Sequence, residues 1–231
     1  MHVIGIDPAP SKETCIYDPE NKGKEWYWKS AVDVPQHLWE LSKGYKARTE
    51  GLLVCWDAPL TGPPRPDHPK NNHSTSDEDK VSPYSQRVIE SLISKADNKL
   101  PKGISTMPYS GCSHWAITRA ALGLPRVGPW DRPFAELPFT PRFENTPPKR
   151  PGAYVTEVHP ALALWLWGLE AGHKGPWNYK EDPGSRDELW TCLKTFWAIK
   201  YPRSLGTWAP EQVRNDDELD AWVAFALGRL W

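Results

Sequence analysis

Three short apolar runs, each followed by a carboxylate, constrain the fold of this chain more than any other feature. They are residues 1–6 before Asp7, residues 52–56 before Asp57, and residues 153–156 before Glu157. Runs of this length, bounded by proline or glycine, are typical of buried strands. Carboxylates at strand ends favour a site for a divalent cation bound by oxygen ligands, provided that the strands meet.

A fourth acidic motif opens the last predicted helix, at residues 215–221. Asp217 and Asp220 are three residues apart, so they share one helix face with Ala221 and Ala224. Like charges at this spacing repel each other, although a helix N-terminus favours anions. Acidic first turns are common in proteins, but here the small alanines allow the acidic face to approach another element closely. We therefore expect Asp217 or Glu157 to join Asp7, Asp57 and Asp220 in one site.

The order of the predicted elements indicates an α/β fold with a mixed, five-stranded sheet flanked by helices. The strands are predicted at residues 1–7, 13–17, 25–29, 52–56 and 154–158. Helices are predicted from Pro35, over residues 161–169, from a capping box at Ser185 to Glu188, and over the acidic C-terminal stretch. We expect a single domain over residues 1–231, with an insertion at about 61–152.

The predicted insertion is rich in proline, and we expect it to be only partly helical. Short helices are predicted from Ser82 and over residues 113–122, and coil over 124–151. Residues 99–151 carry eight basic and three acidic side chains, interleaved with aromatic ones. Such a pattern can bind phosphates and stack bases, which makes Arg126, Trp130 and Arg132 candidate substrate contacts. The alternative is a solvated segment whose aromatic residues only pack against the domain.

The overall composition favours a cytoplasmic protein and gives no sign of a membrane partner. The formal net charge is −1, and no apolar run approaches the roughly 18 residues of a membrane span. The first residues form a predicted strand rather than a signal peptide. The four cysteines contain no Cys-x-x-Cys pair, so buried free thiols in a reducing compartment are expected.

In their order along the chain, these motifs resemble the ribonuclease H-like fold, and within it the nucleases known as domain of unknown function 429. The matching segments are residues 4–7, 56–60, 157–160, Tyr179-Lys180 with Arg186 downstream, and 217–221. In the RuvC-like branch, the acids of the first strand, the fourth strand and the terminal helix hold metal ions. The resemblance therefore implies Mg²⁺ or Mn²⁺ at Asp7, Asp57, Asp217 and Asp220, with Glu157 as a further catalytic carboxylate.

Four further residues are candidates for substrate binding, each with a simpler alternative. Arg65 lies in a proline-rich loop and forms either a phosphate contact or an exposed ion pair with Asp67. His159 either assists proton transfer or closes a strand. Lys180 and Arg186 either contact the substrate backbone or belong to a solvated helix start.

Three functions remain open at this stage. The first is a metal-dependent nuclease acting on RNA or DNA by a two-metal mechanism. The second is a nucleotide-binding relative of the actin-like kinases, which the missing Gly-rich phosphate loop disfavours. The third is a catalytically inactive nucleic-acid-binding module, which the cost of crowding five acids together disfavours. The sequence does not distinguish RNA from DNA and gives no oligomeric state.

Overall fold

A six-stranded mixed sheet forms the centre of the protein. A computed structural model describes residues 1–9, 11–21, 24–58, 60, 139–142, 146 and 148–231. The strands are β1 (His2–Asp7), β2 (Thr14–Tyr17), β3 (Trp26–Lys29), β4 (Leu52–Trp56), β5 (Thr140–Arg142) and β6 (Ala153–Glu157). Their order in the sheet is β3-β2-β1-β4-β6-β5.

Strand directions divide the sheet into two parts. The hairpin β2–β3 is antiparallel, and β2 also pairs antiparallel with β1. β1, β4, β6 and β5 run parallel to one another. The mixed α/β sheet with its five predicted strands is thus confirmed. A sixth, three-residue strand, β5, lies at one edge, within the stretch for which the proline-rich sequence predicted coil.

Helices cover both faces of the sheet. They are α1 (Val34–Lys43), α2 (Tyr45–Thr49), α3 (Pro160–Glu170), α4 (Pro183–Lys200) and α5 (Asp216–Leu230), with a π-helical turn at Pro202–Gly206. The single helix predicted from Pro35 is interrupted at Gly44, whose backbone is extended. No helix in the described part of the chain is long and apolar enough to cross a membrane.

The capping box predicted at Ser185 is wrong, because α4 begins two residues earlier. Asp182 is the N-cap: its side chain accepts a hydrogen bond from the Gly184 amide at 3.0 Å. The Ser185 hydroxyl donates to the same carboxylate at 2.5 Å, so this serine supports the cap and is not the cap itself. An Asp followed by Pro at the first helical position is as good a start signal, and here it prevails.

The two faces of the sheet carry separate apolar cores. Ile4 and Ile6 of β1 pack with Val54 and Trp56 of β4 on the side of α1. Val3 of β1 packs with Leu53 and Cys55 of β4 on the side of α3, α4 and α5. Four of the 14 tryptophans fill this second core as a chain of ring contacts, and they are Trp167, Trp190, Trp197 and Trp222. Cys15 and Cys55 are buried free thiols, as predicted.

α5 lies directly on β1, and Gly5 is the reason it can. A methyl group at Gly5 would overlap the backbone carbonyl oxygen of Ala221 and the backbone nitrogen of Phe225. Glycine is therefore required here by the close approach of two backbones. Gly228 has a similar role near the C-terminus of α5, where an added methyl group would overlap the Cys55 sulfur. The contact of Gly5 with Ala221 and Phe225 fixes the position of the acidic first turn of α5 relative to β1.

Candidate metal centre and active site

Strand alternation directs Asp7 and Asp57 to the same face of the sheet. Side chains alternate between the two faces, so Asp7 shares its face with Val3 and Gly5, which lies under α5. Asp57 follows β4 directly, and its amide donates to the Ile6 carbonyl at 3.0 Å, continuing the parallel pairing of β1 with β4. The two acids therefore stand at adjacent strand ends, beneath the helix that carries Asp217 and Asp220.

The first turn of α5 brings two further acids to these strand ends. Asn215 caps the helix, its side chain accepting from the Glu218 amide at 2.9 Å. Asp217 and Asp220 are buried, with 9% and 1% of their surface exposed. Glu218, also buried, accepts from the Arg214 amide and pairs with its guanidinium, which locks the segment entering the helix.

The acids are close enough to perturb one another's ionisation. Burial raises the pKa of Asp57 to about 7, and the charge of Asp220 contributes to the rise. Burial and then the charges of Asp220 and Asp57 raise the pKa of Asp7 well above its ordinary value. Burial also raises the pKa of Asp220, against the opposing effect of Lys180. We call Asp7, Asp57 and Asp220 the acidic cluster, because the charge of Asp220 acts on the pKa of both Asp7 and Asp57.

Two cations compensate the acids of α5. Lys180 lies with its Nζ 2.8 Å from Oδ2 of Asp220, while the Tyr179 hydroxyl donates to Oδ1 of the same carboxylate at 2.9 Å. Lys12 donates to both oxygens of Asp217, at 2.6 and 2.8 Å. The negative charge of Asp220 is the main reason that the pKa of Lys180 is raised. Lys180 was predicted as a substrate contact, whereas in this structure it contacts the acidic cluster.

Glu157 belongs to the opposite face of the sheet. In the parallel register it pairs with Trp56, which faces the α1 side, whereas Asp57 faces the α5 side. Its Oε2 accepts from the Leu60 amide at 2.9 Å, and His159 Nε2 lies 3.2 Å from its Oε1. The charges of Glu157 and His159 both act on the pKa of Asp57, in opposite directions. This pair therefore borders the acidic cluster, and it holds the turn that follows β4.

The remaining predicted contacts fall into two groups. Arg186 lies on α4 and pairs with the neighbouring Asp187 at 3.0 Å, lining a separate surface groove together with Arg214. Nothing in this geometry connects Arg186 to the acidic cluster. Arg65, Arg126, Trp130 and Arg132 lie outside the described residues, so their predicted role stays a prediction.

The sequence did not indicate the contacts that three further side chains make at this site, those of Lys12, Tyr179 and Arg214. Lys12 is 205 positions from Asp217, and no local pattern predicts so distant a pair. Tyr179 was noted only as part of the family-like motif with Lys180. Its hydroxyl is the buried partner that orients Asp220. A tyrosine next to a lysine, in the connection before a helix, was the available signal.

The donor chemistry of the site suits a hard divalent cation. Asp7, Asp57, Asp217 and Asp220 offer carboxylate oxygens on strand ends and a helix, which are the ligands that Mg²⁺ and Mn²⁺ favour. Burial and neighbouring carboxylates raise the pKa of Asp7 and Asp57, and a bound cation would stabilise their ionised forms. Among the described residues, however, no three acidic, histidine or cysteine side chains are already grouped to hold an ion. In this structure the lysine contacts on Asp217 and Asp220 engage carboxylate oxygens that an ion would need.

Comparison with known proteins supports the resemblance seen in the sequence. Residues 142–231 match the family model described as "Protein of unknown function (DUF429)". The matched part contains β6 and α3 to α5, and with them Glu157, Tyr179, Lys180 and both acids of α5. Asp7 and Asp57 precede it. No curated protein and no solved structure matches the chain.

Proposed function

We propose that this protein is a divalent-metal-dependent phosphodiester hydrolase, a nuclease, built on a ribonuclease H-like fold. The observation that carries the proposal is the acidic cluster, in which two carboxylates at adjacent strand ends lie within the field of a third on α5, so that burial and then the charge of Asp220 raise the pKa of Asp7 and Asp57. Uncompensated buried acids are costly, and such perturbed groups concentrate at functional sites. The strand order and the antiparallel β2 support the ribonuclease H-like assignment, because they follow the element order on which the resemblance rests.

Each residue has a defined part in this proposal. Asp7, Asp57, Asp217 and Asp220 would hold Mg²⁺ or Mn²⁺, which supplies charge neutralisation for an in-line phosphodiester displacement. Tyr179 orients Asp220 through its hydroxyl. Glu157 and His159 border Asp57 and form a pair that could exchange a proton with a bound water. Arg65, Arg126, Arg132 and Trp130 would contact the nucleic acid, RNA or DNA. A cytoplasmic location is also proposed, supported by the buried thiols of Cys15 and Cys55.

A cleavage screen tests the activity. Labelled single-stranded, duplex, hybrid and junction substrates are incubated with the protein and Mn²⁺, and cleavage is expected for at least one of them. Asp7→Asn should lower the rate by at least about 100-fold, the upper end of the loss seen when groups that merely support a metal ligand are removed.

The matched control is Glu40→Gln, which removes an exposed carboxylate on α1 that accepts only from Gln36. Its rate should equal that of the parent. A protein that binds Mn²⁺ yet cleaves none of the substrates would contradict the proposed activity. A rate that is equal for Asp7→Asn and the parent would show that the cleavage comes from a contaminant.

A further inference from the structure

Both oxygens of the Asp220 carboxylate are engaged by neighbouring residues of one short connection. Tyr179 donates its hydroxyl to Oδ1 at 2.9 Å, and the Lys180 ammonium lies 2.8 Å from Oδ2. These two residues lie in the connection between α3 and α4. Asp220 is therefore held by two different kinds of partner.

The two partners differ in how freely they can leave. Tyr179 has 1% of its surface exposed and belongs to the core beneath α5, so its ring cannot move without disturbing that packing. The Lys180 side chain is 46% exposed, whereas that of Asp220 is 1% exposed. A long, half-exposed lysine can rotate into solvent at the cost of one ion pair. Tyr179 is thus the fixed partner of Asp220, and Lys180 is the exchangeable one.

Lys180 also acts on the rest of the acidic cluster. Its positive charge lowers the pKa of Asp7 and of Asp57, against the larger effect of burial. Lys180 acts on the pKa of all three carboxylates of the cluster. An ammonium in contact with one carboxylate and within the field of two others supplies part of the neutralisation that a metal ion would supply.

We propose that Lys180 is an exchangeable internal cation: it competes with a divalent metal ion for Asp220, and it moves to a substrate phosphate oxygen when the metal ion binds. The inference rests on the proposed nuclease function and assigns a regulatory contact to that same site. The exchange is non-covalent and breaks no bond; a divalent ion replaces a singly charged ammonium at the carboxylate, and the ammonium neutralises one charge of the phosphate. The ammonium leaves one anion and meets another, while the metal ion takes its place on the carboxylate.

One consequence is that metal and phosphodiester binding reinforce each other. A ligand that pairs with Lys180 removes the competitor of the metal ion, and by linkage the metal ion frees Lys180 for that ligand. Because Lys180 partly neutralises the acidic cluster, the cluster would bind a metal ion weakly until a phosphate is present. The metal site would then be complete only when the substrate is bound.

Mn²⁺ binding to the full-length protein, measured by titration calorimetry at pH 8, tests the competition. Lys180→Met should bind Mn²⁺ at least about fivefold more tightly than the parent, the lower end of typical coupling between sites. The control is Lys200→Met, which removes a lysine paired with Glu170 on the surface. Its Mn²⁺ affinity should be unchanged. Lys180→Gln, which keeps a hydrogen-bond donor without charge, provides a second variant if the methionine variant unfolds.

A second titration tests the transfer to phosphate. A dinucleotide with a natural phosphodiester should strengthen Mn²⁺ binding by the parent, and the same dinucleotide with an uncharged methylphosphonate should not. In Lys180→Met the enhancement should be smaller, since part of it comes from the lysine.

The outcomes separate this inference from the proposed function. If the parent binds Mn²⁺ and cleaves nucleic acid but the folded Lys180 variants bind Mn²⁺ no more tightly, the exchange is wrong and the nuclease remains. If neither the parent nor the variants bind Mn²⁺, the metal-dependent function fails and the exchange fails with it.

Discussion

At the scale of single residues, the fold destabilises the ionised form of the carboxylates at the site. Asp57 and Asp7 are acids that the fold makes harder to ionise, mainly by burial and then by the charge of Asp220. The nearby cations lessen this effect without removing it. The sequence predicted which acids are involved, because each follows an apolar run or opens a helix. Their pKa values depend on burial and on distant partners, which no local pattern reveals.

The raised pKa of Asp57 predicts that Asp57→Asn is more stable than the parent, by an amount that depends on pH. The folded-state pKa of about 7 exceeds the ordinary value of 3.8, so between these values the folded state binds more protons than the unfolded state. The stability of the metal-free parent therefore falls as pH rises from about 4 to about 7, and levels off above. The stability of Asp57→Asn does not fall in this way, because an asparagine side chain does not ionise. At pH 8 in EDTA the variant should be more stable by up to about 4 kcal/mol, or roughly 8–16 °C in melting temperature.

Thermal unfolding followed by circular dichroism at pH 4.5 and pH 8 measures the difference. At pH 4.5 most of the gain should be absent. The control, Asp187→Asn, removes a carboxylate that is 65% exposed and paired only on the surface, and should show little change at either pH. A gain that is equal at both pH values would show that packing, rather than ionisation, separates Asp57→Asn from the parent.

At the scale of elements, prediction succeeded where local signals are strong and failed where position depends on the whole sheet. Short apolar runs identified three of the five predicted strands, and the acidic stretch at residues 215–221 identified the start of α5, which Asn215 caps. The face on which Glu157 lies was not predictable. β4 is buried at every position, so its sequence does not show which residues face α5. Only the register that pairs Trp56 with Glu157 reveals the opposite orientation of that acid.

The contact between α5 and β1 makes Gly5 a sensitive position. Gly5→Ala should lower the free energy of unfolding by at least about 3 kcal/mol, because the methyl group has to displace the backbone of α5. It should also weaken Mn²⁺ binding, since Asp217 and Asp220 move with that helix. Urea unfolding and calorimetry measure the two effects. Gly184→Ala is the control: its added methyl group would meet nothing closer than the Asp182 carboxylate at 3.3 Å.

If the folded Gly5→Ala protein kept both the stability and the Mn²⁺ affinity of the parent, α5 would not be positioned by this backbone contact. A loss of stability alone, with Mn²⁺ affinity kept, would mean that the acids of α5 do not take part in binding the ion.

At the scale of the whole molecule, the two ends of the sheet have different characters. The acidic cluster stands at the carboxyl ends of the parallel strands, the usual position of functional sites in α/β folds. At the opposite end of β1, a cavity of about 500 Å³ is lined by apolar and polar residues, among them the buried pair of His2 with Asp18 and the pair of Lys46 with Glu20. The site also draws on both halves of the chain, because β1 and β4 precede the family match whereas α5 lies inside it. The order of the acidic motifs along the sequence suggested that these acids share one site. The parallel pairing of β1 with β4 places Asp7 and Asp57 at adjacent strand ends.

The basic excess of residues 99–151 gives the last prediction. Eight basic residues against three acids, in a chain of net charge −1, leave the rest of the protein acidic. If this segment binds the phosphates of a single-stranded substrate, replacing Arg126 and Arg132 with glutamine should weaken binding. Each lost contact should also lower the salt slope by about 0.7, so the double variant should lose about 1.4. Arg142 is left intact because its guanidinium donates to the Thr146 carbonyl at 3.3 Å.

Fluorescence anisotropy with a labelled single-stranded oligonucleotide, at several salt concentrations, measures both quantities. Asp7→Asn serves as the background, so that the oligonucleotide stays uncut. The matched control, Lys43→Gln with Arg48→Gln, removes two positive charges from α1 and α2, near the end of the sheet where β4 begins. That control should retain the affinity and the slope, because its charges lie away from the acidic cluster.

An arginine variant with the same affinity and slope as its background would mean that the basic segment only packs against the domain. Substrate phosphates would then have to be bound by residues close to the acidic cluster, Lys180 first among them.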